Sequence, residues 1–304
     1  MLFTKAIINL VINMLLSEKM KEQERFSISE RTVISYIFKN WDEIQDQTAK
    51  QIAEEAYTHP SILTRIAKKL GYSGWVDLKE AFVKEMYYLN NNFHNVDANF
   101  PFDETDNFMT ISNKLATLNE MTIEDTLSLI DYNALKKAVE YLNTASEIKI
   151  FSLENNLQLC YAFKSHMMRI GKKVTLCTFD QGYEASTCSE DTCVIIISYT
   201  GETTNILKLL PMIRKKKATI ISLTSIGDNT LVKQSDYLFR ITTREKLYSK
   251  IGNFTLNNSI TFLLDIFYSC IFSEAYKDNI EFKVNISKYY DSRKSSNKVM
   301  IEEE

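Results

Sequence analysis

Apolar positions recur at helical spacing from residue 1 to about residue 90, with one break at Gly71-Tyr72-Ser73-Gly74 and no convincing strand alternation. Residues 108–145 return to the same period, with Ile111, Leu115 and Leu118, then Leu135, Val139 and Leu142, falling on common faces. From Glu147 the pattern changes. Short β-rich runs at 148–151, 174–177, 194–197, 219–223 and 237–241 alternate with helical segments at about 156–171, 203–217 and 255–276. Several of the runs are unbroken apolar stretches, as parallel strands covered on both faces require. The alternation predicts an α/β body, a doubly wound parallel sheet of five strands, behind an all-α head.

Between the two patterns, residues 87–107 carry Asn90-Asn91-Asn92, Pro101 and scattered acids, the composition of a linker. The expected organisation is a head over 1–86, a linker over 87–107, a body over 108–290 and a disordered, Ser- and Lys-rich tail over 291–304. The apolar stretch 1–16 is interrupted by Asn9 and Asn13 and is followed by charge rather than a cleavage site. It is also short for a membrane span, so it is expected to be an amphipathic helix packed on the head or on a partner subunit.

With 304 residues the chain is long enough for two cores, and 45% apolar with 25% charged residues is the balance of a globular protein. A net charge of -3 excludes coating of nucleic acid by bulk electrostatics, so any DNA contact must be local. The five cysteines form no C-x-x-C pair, which speaks against a metal or redox motif. They read as reduced thiols in a cytoplasmic protein, and no metal site or cofactor is expected.

Thr48 to Ala56 reads as a short helix capped by Thr48 and burying Ile52, Ala53 and Ala56. The turn Tyr57-Thr58-His59 leads into a second helix with Pro60 in its first turn and Gly71 as its stop. Leu63, Ile66, Ala67 and Leu70 share one face of that helix, leaving Ser61, Thr64, Arg65, Lys68 and Lys69 on the remainder. Short hydroxyls there can approach base edges, and the cations can meet phosphates or guanine. From Pro60 to Tyr72 there are three basic residues and no acid, so a double-stranded DNA operator is the expected partner. The same spacing also describes a plain amphipathic helix with a solvated basic face.

In the body, the apolar run 194–197 leads into Ser198-Tyr199-Thr200-Gly201-Glu202-Thr203-Thr204-Asn205, after which Ile206, Leu207 and Leu210 open a helix. Hydroxyls of Ser198, Thr200 and Thr203 can donate to phosphate oxygens, Gly201 allows close backbone approach, and the helix start adds N–H groups. An ordinary Ser/Thr-rich turn reads the same way locally. Its place after a central strand favours a ligand site, because ligands of such sheets collect at the strands' carboxyl ends.

The run from Thr64 through Arg65-Ile66-Ala67-Lys68-Lys69-Leu70-Gly71-Tyr72-Ser73-Gly74-Trp75 to Leu78-Lys79 resembles the Arg-x-x-Lys-Lys-Leu-Gly-aromatic-x-Gly-aromatic-x-x-Leu-Lys run of RpiR-family regulators. Residues 198–203 resemble the Ser-x-Ser/Thr-Gly-x-Thr loop of sugar isomerase (SIS) domains, a flavodoxin-like fold, over about 130–275. The resemblance implies a dimeric or tetrameric regulator of sugar metabolism whose SIS domain senses a phosphosugar. It implies no catalytic residue.

This chain departs from the family at four points, one of them Ile62 in place of a frequent Thr, so the base sequence read does not carry over. Thr58-His59 replaces the usual Val-Ser before the recognition helix, so His59 or Thr58 must cap it. After the first strand, Ser152-Leu153-Glu154-Asn155-Asn156 replaces a Gly-rich loop; Glu154 repels phosphate, while Asn155 and Asn156 suit sugar hydroxyls. Asn229-Thr230 stands where a Ser is common before Leu231. Two alternatives stay open: a sugar-phosphate isomerase with Glu154, Glu202, Glu245 or His166 as base, and a regulator whose ligand site has degenerated. An isomerase has no use for residues 48–80.

Overall fold

The computed structural model describes residues 15–90, 96–290 and 292–300. The helix expected over 1–16 therefore lies almost wholly outside the described residues. Contacts divide the chain into two units: Met1–Ser128 with Ser225–Lys233 and Thr242–Thr255, and Leu129–Thr224 with Gln234–Ile241 and Leu256–Glu304.

The first unit is built from α1 (Leu16–Lys21), α2 (Ile28–Lys39), α3 (Ala49–Glu55), α4 (Ser61–Lys69), α5 (Trp75–Asn90) and α6 (Phe108–Ser128). Two of these starts are written in the sequence as capping boxes. The Ser27 hydroxyl accepts the Glu30 N–H while the Glu30 carboxylate takes the Ser27 N–H, and Thr48 and Gln51 repeat the exchange. α4 ends as expected: Gly71 sits at φ +89°, and the Gly71 and Tyr72 N–H groups return to Lys68 and Ala67 carbonyls. Val33, Ile37, Ile52, Leu63, Ile66, Leu78 and Phe82 are fully buried and form the core of the head. After α5, Asn99 ties the chain to the segment 242–255: its side chain donates to the Arg244 carbonyl (3.2 Å) and accepts the Lys246 N–H (2.7 Å).

The second unit holds α7 (Tyr132–Thr144) and five strands, β1 (Glu147–Phe151), β2 (Val174–Leu176), β3 (Thr192–Ser198), β4 (Thr219–Thr224) and β5 (Tyr237–Arg240). The expected α/β architecture is the one that forms. All strand pairs are parallel, in the order β2-β1-β3-β4-β5. Every residue of β3 is buried, which is why its sequence is apolar on both faces.

The intervening helices are more broken than their period predicts. The segment expected at 156–171 forms α8 (Glu154–Leu159) and α9 (Tyr161–Met168), and a short α10 (Gln181–Ser186) follows β2. The segment 203–217 divides into α11 (Thr204–Leu207) and α12 (Leu210–Lys215), because Pro211 has no N–H to continue the ladder. α13 (Phe254–Glu274) lays Ile260, Leu263, Leu264, Phe267 and Ile271 into the core, with Phe267 edge-on to Phe239 at 4.8 Å. α14 (Tyr276–Tyr290), not foreseen as a separate helix, buries none of its residues.

The five cysteines are free thiols, and burial pushes those of Cys160, Cys177 and Cys193 up to about 12, where they are inert. Among the described residues no helix is long and apolar enough to cross a membrane, and no cluster of side chains suits a metal ion.

Candidate functional site

In the head, α3 and α4 are joined by a tight turn in which Tyr57 takes φ +51° and the Thr58 N–H reaches back to the Ala53 carbonyl at 2.7 Å. Pro60 stands at the N-cap of α4 without a side-chain cap, and the preceding His59 takes the first N–H instead. Its Nδ1 accepts the Ser61 N–H at 3.3 Å and lies 2.9 Å from the Ser61 hydroxyl. α4 buries Ile62, Leu63, Ile66 and Ala67, with Leu70 half-buried, so Ile62 joins the expected inner face. Ser61, Thr64, Arg65, Lys68 and Lys69 are all exposed, and the structure brings the five onto the outer surface of one helix.

Two of these five are not simply solvated. Glu30 of α2 is fully buried and divides its carboxylate between them, Oε1 accepting from Arg65 Nε at 2.8 Å and Oε2 from Lys69 Nζ at 2.7 Å. Lys69 Nζ also reaches the Arg25 carbonyl at 3.2 Å. Burial pushes the Glu30 carboxyl up, but the hydrogen bonds from Lys69, the Ser27 backbone and Arg65 outweigh it and hold it at about 2. Lys68 makes no ion pair among the described residues. Sequence reasoning missed Glu30 because a Glu three residues after Ser27 is already accounted for by the capping box. Its second role depends on a helix more than thirty positions away.

In the body, β1 and β3 are neighbours, yet the chain leaves β1 towards β2 on one side and reaches β3 on the other. The sheet therefore reverses direction between β1 and β3, and this is where α/β sheets hold ligands. Both loops singled out in the sequence leave the carboxyl ends of those two strands. The buried Ser198 hydroxyl lies 2.9 Å from the Thr203 hydroxyl and accepts the Gly201 N–H at 3.2 Å. The Glu202 N–H donates to the Thr200 hydroxyl at 3.1 Å. Gly201 sits at φ +66° and is buried, a left-handed position where a β-branched side chain would be strained.

At the end of β1, Ser152 donates to the Ile197 carbonyl at 2.6 Å and accepts from Asn156 Nδ2 at 3.1 Å. The bond to Ile197 ties the end of β1 to β3, one residue before the loop that follows β3. Asn155 is exposed on α8. Gln181 Nε2 closes the edge by donating to the Ser152 and Cys177 carbonyls at 2.9 and 3.0 Å. Ser152 and Gln181 were not assigned roles from sequence, although the position of Ser152 directly after an apolar run was a usable signal.

Of the four possible bases of an isomerase, Glu154 and Glu202 lie in these two loops, and His166 and Glu245 lie outside them. His166 stacks on Tyr268 with ring centroids 4.9 Å apart. The Glu245 carboxylate is fully buried, with Oε1 accepting from the Thr255 N–H and hydroxyl and Oε2 from Lys250 at 2.8 Å.

A SIS-domain family model matches residues 150–268, and a second, described as helix-turn-helix domain, rpiR family, matches residues 13–87. The chain thus carries an rpiR-family helix-turn-helix domain and a SIS domain. It is 26% identical over 258 residues to an HTH-type transcriptional regulator of Clostridium perfringens, a likeness covering 84% of the chain and 91% of the relative. Among solved structures it is similar to the Vibrio vulnificus NanR protein complexed with ManNAc-6P, at a TM-score of 0.53 and 20% identity, over 91% of this chain and 100% of that one. The sugar isomerase domain of an RpiR transcription factor from Sphaerobacter thermophilus matches at a TM-score of 0.51 and 12% identity, over 58% of this chain and 98% of that one. At those identities the two structures show the shared fold. The protein is thus an RpiR-type helix-turn-helix transcription regulator carrying a SIS domain.

Proposed function

We propose that this regulator binds a double-stranded operator through α4 and senses a phosphorylated sugar at the loops after β1 and β3. The observation that carries the reading is the pairing of two chemistries in one chain: an exposed hydroxyl-and-cation face on a second helix-turn-helix helix, and hydroxyl-bearing loops at the carboxyl ends of the adjacent strands β1 and β3. In this reading Ser198, Thr200, Thr203 and the Gly201 N–H take the phosphate, while Asn155 and Asn156 take sugar hydroxyls. Ser61 and Thr64 approach base edges, and Arg65, Lys68 and Lys69 meet the backbone. The NanR structure, a complex with ManNAc-6P, supports a phosphosugar of that class as the ligand. A homodimer or homotetramer acting in the cytoplasm would place two α4 helices on the half-sites of a palindrome. The chain performs no catalysis in this reading.

The test is fluorescence anisotropy with DNA from upstream of the protein's own gene, at two salt concentrations, with and without a panel of phosphosugars. Salt-sensitive binding that prefers one DNA sequence and shifts with one sugar is the expected result. Sequence-specific binding that no sugar alters would mark a degenerate ligand site, and absence of specific binding would remove the operator reading. Lys68→Ala is expected to weaken binding to all DNA sequences about equally, by roughly three- to tenfold, and to reduce the salt slope by about one.

A further inference from the structure

We propose that Glu30 is the positioning residue of the DNA-binding head, a buried splint that holds Arg65 and Lys69 in one presented geometry and so sets how sharply the head discriminates its operator from other DNA. The inference rests on the operator-binding reading of α4 and adds a residue from another helix to it.

The geometry is that of a fork. Arg65 and Lys69 stand four residues apart on α4, one turn along the same face. Each gives one donor to a different oxygen of the same carboxylate, at 2.8 and 2.7 Å. The carboxylate is itself fixed, because Oε2 also accepts the Ser27 N–H at 2.7 Å and Glu30 has no exposed surface. The cations are not consumed by this. Their side chains remain 56% and 37% exposed, and among the described residues Arg65 is engaged only through Nε. Long cationic side chains normally lose much rotamer freedom when they meet a phosphate, and a splint imposes that loss before DNA arrives. Glu30 also removes one unit of positive charge from the face. Sequence-independent attraction, which follows the count of cations, is thereby lowered, while contacts that depend on register are sharpened.

Both effects point the same way, and they separate a positioning role from a structural one. In Glu30→Gln the capping box is retained, since Gln serves at that position, but the splint's charge is gone. The ratio of operator to random-sequence affinity is expected to fall about tenfold, the scale of one lost register-dependent contact. Random-sequence affinity is expected to hold or rise, with a salt slope steeper by up to about one. Simple misfolding would lower both affinities together, and tryptophan fluorescence on the same samples monitors the folded head. In an Arg65→Gln/Lys69→Gln background, adding Glu30→Gln should change the ratio no further.

A second arm needs no DNA. The Arg65 Nε–H of the free full-length protein is expected to exchange slowly with solvent in 15N spectra, and to lose that protection in Glu30→Gln. Arg65 exchanging as fast as a free guanidinium in the wild type would overturn the splint whatever the operator data show. An operator preference that survives Glu30→Gln intact, or a loss that persists unchanged in the doubly substituted background, would overturn its role in discrimination. A wild type that prefers no operator at all strikes the operator reading instead, and is told apart by the slow Arg65 Nε–H exchange.

Discussion

Acidifying the protein through the window from about pH 4.5 down to about pH 2 is expected to remove the stabilisation that Glu30 contributes to the head. Its carboxyl is held at about 2 in the folded chain against an ordinary value of 4.5. A folded-state value below the unfolded one means that the native state favours the ionised form. The contribution is therefore complete above about pH 4.5 and disappears as the pH falls towards the folded value. At about 1.4 kcal/mol per pH unit the shift corresponds to roughly 3 kcal/mol, and to nearer 2 because both cationic partners are partly in solvent. The chain's two tryptophans are Trp41 and Trp75, so tryptophan fluorescence follows the unfolding of the head alone. Urea midpoints of wild type and Glu30→Gln should differ by about 1 M at pH 7 and converge as the pH approaches 2. A gap that stays constant with pH would mean that Glu30 acts by shape rather than charge.

The second large effect is expected at Ser198. Its hydroxyl is buried at the end of β3 and bound on two sides, by the Thr203 hydroxyl and the Gly201 N–H. In the proposed complex it turns one donor onto a phosphate oxygen, and a hydrogen bond to a charged partner is worth about 1.5–3 kcal/mol. Ser198→Ala removes that bond and also loosens the loop that presents Gly201. Calorimetry should show phosphosugar affinity falling on the order of 30- to 100-fold, with operator affinity in the absence of sugar unchanged. Unaltered sugar binding would place the ligand elsewhere. Loss of both affinities would indicate an unfolded body.

The parts of the candidate sites that could be read in advance were those with local causes. Gly71 ends α4 because a left-handed residue is needed there, and Thr48 and Ser27 begin helices because their side chains meet backbone groups three positions on. The exposure of Ser61, Thr64, Arg65, Lys68 and Lys69 followed from the helical period once Leu63, Ile66 and Ala67 were placed inward. The departure at Thr58-His59 left two candidates for the cap, but the N-cap position is Pro60, with the His59 imidazole accepting the Ser61 N–H from one residue further back.

What the amino-acid sequence determined by itself was the kind of each domain: period 3.6 in the head, buried strands alternating with helices in the body, and the two motifs on which the proposed ligands rest. These are properties of neighbours in the chain, and hydrophobic period and turn chemistry record them. Tertiary structure alone decided which strand lies beside which, and therefore that Ser152, at the end of β1, bonds the Ile197 carbonyl of β3. It alone decided that one buried carboxylate from α2 would hold two cations of α4. Such contacts join residues tens of positions apart, and no local pattern records them. Their stability comes from burial and charge pairing that exist only after the helices and strands have packed.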